Sequence, residues 1–143
     1  MDHGKLSTIG CGLLGLLLWV IPVPETCAQL LISEILTSNN RINLDTETGV
    51  FTDWVELFNA GPDNLNLSGY WLSDNPDKPD KWKFPDGTNL PAGGYLLVLT
   101  DGLNTGLHTS FALSRDGESV IISDPSGEVA DRLDFGAQKP DVS

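Results

Sequence analysis

The chain has 143 residues, of which 40% are hydrophobic, and its 20 acidic against 8 basic side chains give a net charge of −12. This length suits one domain with a short appendage, and the apolar content is enough for a packed core, which argues against a wholly disordered acidic polymer. The negative charge argues against binding to a nucleic-acid backbone or to an anionic membrane surface, because both need clustered Lys and Arg.

The first 28 residues have the pattern of a signal peptide. A short polar start with Lys5 precedes an almost wholly apolar run over 6–23, and Thr26-Cys27-Ala28 supplies small residues for cleavage before Gln29. We therefore predict an exported protein, secreted or held at the cell surface, with no membrane span after cleavage. The alternative is an uncleaved anchor helix of about 18 residues, which is marginally long enough to span a bilayer.

Both cysteines, Cys11 and Cys27, lie in this N-terminal segment. A lipoprotein signal at Cys11 is disfavoured, because this cysteine precedes the apolar core of the segment. Removal of residues 1–28 takes away two acidic residues and one lysine, so the remaining 115 residues carry a net charge of −11. Without cysteine, the predicted domain at 29–143 has no disulfide, thiol nucleophile or cysteine-ligated zinc.

Residues 29–143 predict an all-β domain. No window of 11 or more residues has apolar positions at helical spacing, whereas short apolar or alternating runs recur between Gly-, Pro- and Asp-rich turns. Eight short strands in this length are typical of a sandwich or barrel. The predicted strands are 30–36, 54–59, 65–72, 81–84, 95–100, 110–113, 119–123 and 129–135, with a hairpin at 115–118 joining the sixth and seventh.

Alternation along these strands predicts the core. Val55 and Leu57 share one face of their strand while Trp54 and Phe58 share the other, which indicates a central strand. The polar stretch at 37–53 is long for a connection inside a compact domain, so it is either a mobile loop or a functional one. The other predicted core residues are Trp71, Trp82, Phe84, Leu96, Val98, Val120 and Ile122.

In chain order, these segments resemble the lamin tail domain family in its bacterial secreted form. The resemblance covers residues 31–143, and it implies an immunoglobulin-like β-sandwich with no known catalytic centre. The segments that carry it are Ile32-Ser33-Glu34-Ile35-Leu36, Ser38-Asn39, Asp53-Trp54-Val55-Glu56-Leu57-Phe58-Asn59, Leu67-Ser68-Gly69-Tyr70-Trp71-Leu72-Ser73-Asp74, Lys81-Trp82-Lys83-Phe84-Pro85-Asp86-Gly87, Gly93-Gly94-Tyr95-Leu96, His108-Thr109-Ser110-Phe111-Ala112-Leu113, Asp116-Gly117-Glu118, Asp131 and Asp134.

The resemblance also predicts the class of function. Similar bacterial domains act as adaptors or tethers beside larger secreted or surface modules, so we expect a non-catalytic attachment module with a protein or cell-envelope partner. The family usually continues a few residues past Ser143, so we expect a truncated product or a fragment of a longer protein. The alternatives are an N-terminal accessory domain of a larger secreted enzyme (spore-coat-kinase-like, nuclease or phosphatase) and a calcium- or carbohydrate-binding module.

Glu34, Asp53 and Glu56 are candidate binding residues, because the first two strands can bring them to one end or edge of the sandwich. Together with Asn39, they predict a cation site or a polar recognition patch. The alternative interpretation is structural: Asp53 caps a turn, and Glu56 pairs with a basic residue such as Arg41.

Asp74, Asp77 and Asp80 form a second candidate site, in a loop rich in oxygen ligands. Calcium takes six to eight oxygens in flexible geometry, so this loop is a candidate calcium site. The spacing differs from an EF-hand and three nearby lysines dilute the charge, so solvated turn residues are the alternative.

Tyr70 is the candidate for an exposed aromatic contact, for example with carbohydrate, because it points away from the neighbouring Trp71 on a strand.

His108 is the only histidine in 29–143, and we interpret it as a structural or surface residue, because no partner for general-base chemistry is evident. We therefore predict no catalytic residue and no cofactor other than the calcium alternative.

Overall fold

The computed structural model describes residues 29–143, which form nine β-strands joined by turns and loops. The predicted signal peptide, residues 1–28, lies outside the described residues. Within 29–143, no helix is long and apolar enough to cross a membrane. The strands are β1 (Leu30–Leu36), β2 (Trp54–Asn59), β3 (Leu65–Asn66), β4 (Trp71–Ser73), β5 (Trp82–Lys83), β6 (Asn89–Leu90), β7 (Tyr95–Leu99), β8 (Glu118–Ser123) and β9 (Val129–Phe135).

Two antiparallel sheets make up the sandwich. The first has the order β1-β2-β7 and the second the order β5-β4-β8-β9, while β3 and β6 form a separate two-stranded ribbon. β2 is central in its sheet, as its two apolar faces predicted: Val55 pairs with both Ile35 of β1 and Val98 of β7. The all-β fold and the sandwich architecture predicted from the sequence are confirmed.

The core lies between the inner faces of the two sheets. Val55 and Val98 from the first sheet meet Leu72, Val120 and Ile122 from the second, and all five are fully buried. Burying each such side chain contributes about 1.5–3 kcal/mol, which makes this layer the main source of stability. Of the other predicted core residues, Leu57, Trp82 and Phe84 are buried, whereas Trp71 and Leu96 are half-buried.

The predicted strand at 65–72 is two strands in the structure. The Tyr70 N–H donates to the Leu67 carbonyl at 3.0 Å, and Gly69 has a φ of +86°. Glycine adopts this left-handed conformation without steric penalty, so the chain turns there. β3 and β4 consequently join different sheets.

The predicted strand at 110–113 and its hairpin with the following strand are wrong. Ala112 makes only an isolated bridge with Asp101, and β8 pairs instead with β4 and β9. Phe111 and Leu113 are 5% and 7% exposed, so their apolar character reflects burial without strand pairing. β6 was not predicted, because two residues are too few to show a strand period.

The two sheets meet along one side of the sandwich, where β1 faces β9. The Ile32 N–H donates to Asp131 Oδ2 at 2.7 Å, close to a bulge in β1 between Ile32 and Glu34. On the opposite side of the first sheet, β7 has β2 as its only neighbouring strand among the described residues. The long loop at 37–53 and the segment 101–109 lie beside the C-terminal end of β7, where both contribute residues to one cavity.

Candidate functional site

Asn39 and Asp53 hold the base of the polar loop at 37–53. The Asn39 backbone N–H donates to Asp53 Oδ1 at 2.7 Å. The Asn39 side-chain amide donates to the Thr52 carbonyl at 2.9 Å, and its Oδ1 accepts the Ile42 N–H at 2.9 Å. Asn39 is 7% exposed. The structure thus brings these two predicted site residues together, and their polar atoms form hydrogen bonds that hold the backbone of the loop in place.

Asp45 turns inward from the same loop. It is 6% exposed, and its carboxylate accepts hydrogen bonds from the Glu47 N–H at 2.8 Å and from the Thr48 hydroxyl. Its own N–H donates to the Val50 carbonyl at 2.9 Å, which closes a tight turn. The bonds from Thr48 and then Glu47 lower the pKa of Asp45 from its usual value, so this side chain is ionised at neutral pH.

The segment after β7 supplies the other half of the site. The Leu99 N–H donates to the Leu107 carbonyl at 2.9 Å, and the Thr109 N–H donates to the Leu99 carbonyl at 2.8 Å. These bonds form a short parallel bridge between Leu99 and His108. The Leu103 N–H donates to Asp101 Oδ1 at 3.0 Å, which fixes the start of the segment. The pairing therefore presents Asp101 and His108 towards the loop that carries Asp45.

His108 is the centre of the resulting cluster. The residue is 3% exposed, its Nδ1 lies 2.7 Å from Asp101 Oδ2, and its Nε2 lies 3.7 Å from Glu47 Oε2. One ligand atom from each of Asp45, Asp101 and His108 lies within 4.8 Å of the others. Burial lowers the pKa of His108, but the hydrogen bond and charge of Asp101, with the charges of Asp45 and Glu47, outweigh burial and raise this pKa overall.

The cluster borders a cavity of about 470 Å³. Asp45, Glu47 and His108 form its polar wall, and Leu97 and Leu99 form part of its apolar wall. Several large apolar side chains nearby in sequence are exposed. They are Ile42, Leu44, Val50, Phe51 and Leu103.

Glu34 and Glu56 lie opposite each other on β1 and β2. The Ser33 hydroxyl donates to Glu56 Oε1 at 2.8 Å, and the Ser143 hydroxyl donates to Glu34 Oε1. The expected pairing of Glu56 with Arg41 is wrong, because the Arg41 Nε lies 3.0 Å from Asp141 Oδ2. The structure therefore joins two of the three predicted carboxylates, while Asp53 contacts Asn39 instead.

The candidate calcium residues are spread along their loop. Asp74 forms an ion pair with Lys81, whose Nζ lies 2.5 Å from Asp74 Oδ1. Asp77 and Asp80 are exposed. In the described part of the chain, the only group of three or more metal-capable side chains with ligand atoms this close is Asp45, Asp101 and His108. Calcium binding by the three aspartates stays a prediction.

Tyr70 and Trp71 are both half-buried. Tyr70 packs against the core, and burial, followed by the charge of Asp124, raises the pKa of its hydroxyl. Lys83 Nζ lies 6.0 Å from the Trp71 ring centroid, at the limit of a cation–π contact. Sugar binding at Tyr70 stays a prediction.

Sequence reasoning missed Asp45 and Asp101 as site residues and assigned His108 no ligand role. The two aspartates lie in different loops, and only the pairing of Leu99 with the 107–109 segment aligns them. The signal that the sequence did contain was the length and polarity of the loop at 37–53.

Comparison with known proteins agrees with the fold. The family model described as Lamin Tail Domain matches residues 24–137. No curated protein matches the chain. The lamin tail domain is an immunoglobulin-like, non-enzymatic domain family, which suggests an interaction module. Because this match spans more than half of the chain, the protein belongs to the lamin tail domain family.

Proposed function

We propose that this protein is an exported, non-catalytic adaptor that binds an extended segment of a protein partner along the open edge of β7. Its family suggests an interaction module, and the apolar pattern of residues 1–28 supports export. The partner lies at the cell surface or in the cell envelope. The single observation that carries the binding mode is the backbone geometry of β7.

The outward-facing backbone groups of β7 include an unpaired position. Leu99 uses its N–H and carbonyl on the 107–109 segment, so these groups point away from β2. Leu97 lies two residues earlier and faces the same way, because strand backbone groups alternate with a period of two. Among the described residues, β2 is the only strand beside β7, and the Leu97 N–H and carbonyl have no backbone partner there. An added strand can pair at this position.

The surroundings of Leu97 define the chemistry of the partner. Its side chain lines the cavity together with Leu44, which is 50% exposed, and with Glu47, whose side chain is 79% exposed. An extended segment paired with β7 therefore places alternate side chains against an apolar and acidic wall. The net charge of −11 on residues 29–143 favours a cationic ligand. We expect a segment in which apolar residues alternate with Lys or Arg.

A selection of random linear peptides against the full chain tests this proposal. We expect enriched peptides with alternating apolar and basic residues, and slower hydrogen exchange of the Leu97 amide when such a peptide binds. The substitution Leu97→Pro removes the outward N–H but no hydrogen bond to β2, so the fold is kept and binding is lost. Leu97→Val keeps the N–H and is the matched control.

Two results would overturn the binding mode. One is peptide binding that Leu97→Pro leaves unchanged, with the fold of the variant verified by circular dichroism. The other is a bound peptide that protects amides elsewhere and not on β7.

Export is tested separately by intact mass after cell fractionation. A secreted species that begins at Gln29 supports cleavage, and an intracellular chain that begins at Met1 contradicts export.

A further inference from the structure

We infer that Asp45, Asp101 and His108, with Glu47 completing the set, form a binding site for a divalent metal ion, and that this ion is Zn²⁺. The site lies beside the β7 edge, but it is independent of the proposed adaptor function. Three features of the cluster carry the inference: its charge, its geometry and the type of its ligands.

The negative charge of the cluster is only partly compensated by protein groups, because His108 is its one basic side chain against the three carboxylates of Asp45, Glu47 and Asp101. Asp45 and Asp101 are close to each other, and Asp45 is 6% exposed. Within residues 29–143, no ion pair places a Lys or Arg on Asp45, Glu47 or Asp101. Gathering carboxylates in a partly dehydrated site is unfavourable unless a cation is present. A bound divalent ion supplies the positive charge that His108 alone does not.

The geometry of the cluster is close to that of a metal site. The ligand atoms lie within 4.8 Å of one another, and bonds of about 2.0–2.2 Å in tetrahedral geometry place the ligands of one Zn²⁺ about 3.3–3.6 Å apart. Only a small inward movement of the side chains is needed. Asp45 and Asp101 are each oriented by backbone N–H groups, those of Glu47 and Leu103, as ligating carboxylates commonly are.

His108 provides an independent observation. Its side chain is 4% exposed, and it lines the cavity next to Asp45 and Glu47. Its Nδ1 faces Asp101, whereas its Nε2 makes no hydrogen bond with any described residue, since Glu47 Oε2 is 3.7 Å away. A histidine ring nitrogen that makes no hydrogen bond and faces a carboxylate is available as a metal ligand.

The ligand types select the metal. Ca²⁺ and Mg²⁺ prefer sites made entirely of oxygen ligands, whereas imidazole together with carboxylates suits Zn²⁺. The exposed side chain of Glu47 supplies a fourth ligand, and the cavity keeps room for water. The ion would connect the loop of Asp45 with the segment of Asp101 and His108, and so fix the two walls of the cavity relative to each other.

Zinc titration of the full chain, purified without a histidine tag and treated with EDTA, tests the site. We expect one Zn²⁺ per chain by calorimetry or by competition with a metal indicator. His108→Gln is expected to weaken binding by about tenfold or more. His3→Gln, which changes the only other histidine of the chain, is the matched control and is expected to leave the affinity unchanged.

A second measurement avoids dependence on the folding of the variant. In the wild-type chain, long-range ¹H–¹⁵N spectra follow the ring nitrogens, and one nitrogen of His108 is expected to shift on zinc addition. Absence of zinc uptake, loss of binding in His3→Gln but not in His108→Gln, or displacement of zinc by equimolar Ca²⁺ would each overturn the inference. The titration uses no peptide, so its result is separate from the test of β7.

Discussion

At the scale of single residues, two buried threonines differ in one contact. Thr100 is 2% exposed, and its hydroxyl has no hydrogen-bond partner among the described residues. Thr109 is 0% exposed, and its hydroxyl donates to the Phe111 carbonyl at 2.5 Å. A buried hydroxyl without a partner costs about 1–3 kcal/mol, whereas a satisfied one contributes about 1 kcal/mol.

We therefore predict opposite effects of the same substitution at these two positions. Thr100→Val is expected to raise the free energy of unfolding by about 1 kcal/mol, because it removes the unpaired hydroxyl. Thr109→Val is expected to lower it by about 1 kcal/mol, because the Phe111 carbonyl loses its donor. Urea unfolding measures both. Changes of the same sign would contradict the hydrogen-bond assignment.

At the scale of elements, a glycine fixes the start of β8 against the end of β9. Gly117 has a φ of +105°, and a Cβ atom there would lie 2.7 Å from the Phe135 carbonyl oxygen. Gly127, between the same two strands, has a φ of +88° but open space around the Cβ position. Both positions require the left-handed region, but only the first also excludes a side chain.

Gly117→Ala is therefore expected to cost more stability than Gly127→Ala. Gly127→Ala is expected to lower the free energy of unfolding by about 1 kcal/mol, because only the backbone conformation becomes unfavourable. Gly117→Ala must also displace neighbouring backbone atoms, so we expect it to lower the free energy of unfolding by more than about 2 kcal/mol. Thermal unfolding followed by circular dichroism compares the two variants. Equal losses would mean that the β8–β9 ends are not in close contact.

The turn between β8 and β9 predicts a dependence on pH. The Asp124 carboxylate accepts hydrogen bonds from the Ser126 hydroxyl at 2.6 Å and from the Glu128 N–H at 3.0 Å. These bonds, that of Ser126 first, lower the pKa of Asp124 from its usual value of 3.8. A carboxyl whose pKa is lower in the folded state stabilises the protein above its unfolded pKa and loses this effect as the pH falls.

The melting temperature of the wild type should thus exceed that of Asp124→Asn at neutral pH, and the gap should close as the pH falls below 3.8. Asp116→Asn is the control, since the Asp116 carboxylate accepts no hydrogen bond among the described residues and is 88% exposed. A gap that stays constant into acid would show that the charge of Asp124 plays no part in the turn.

How far the elements could be predicted depended on their length. β1, β2 and β9 were predicted with their observed bounds, because six or seven residues are enough to show alternation. β3 and β6 have two residues each, and Gly69 divides what the apolar pattern joined. His108 was visible as a lone histidine, but its partners Asp45 and Asp101 are selected by tertiary contacts that no local pattern encodes.

At the scale of the whole molecule, the sequence does not predict which edges of the two sheets meet. Alternation assigns inner and outer faces within a strand, but it does not say which edges meet. In the structure, β1 and β9 meet through the Ile32 N–H and Asp131 Oδ2, which are 99 positions apart in sequence. This bond ties the first strand of the domain to the last, so both termini of the fold depend on it.

We predict that Asp131→Ala loosens this side of the sandwich. The Ile32 N–H, on a residue that is 9% exposed, loses a charged acceptor, and a backbone donor left without a partner costs about 1–3 kcal/mol. Asp131→Asn keeps a side-chain oxygen and is expected to lose less. Asp134→Ala is the control on the same strand. Asp134 contacts Ser119 of β8 and Arg132 of β9, which both belong to the second sheet, so its loss leaves the link to β1 intact. Faster hydrogen exchange of the Ile32 amide in Asp131→Ala alone would support the link, and an unchanged exchange rate would show that the two sheets are held together without it.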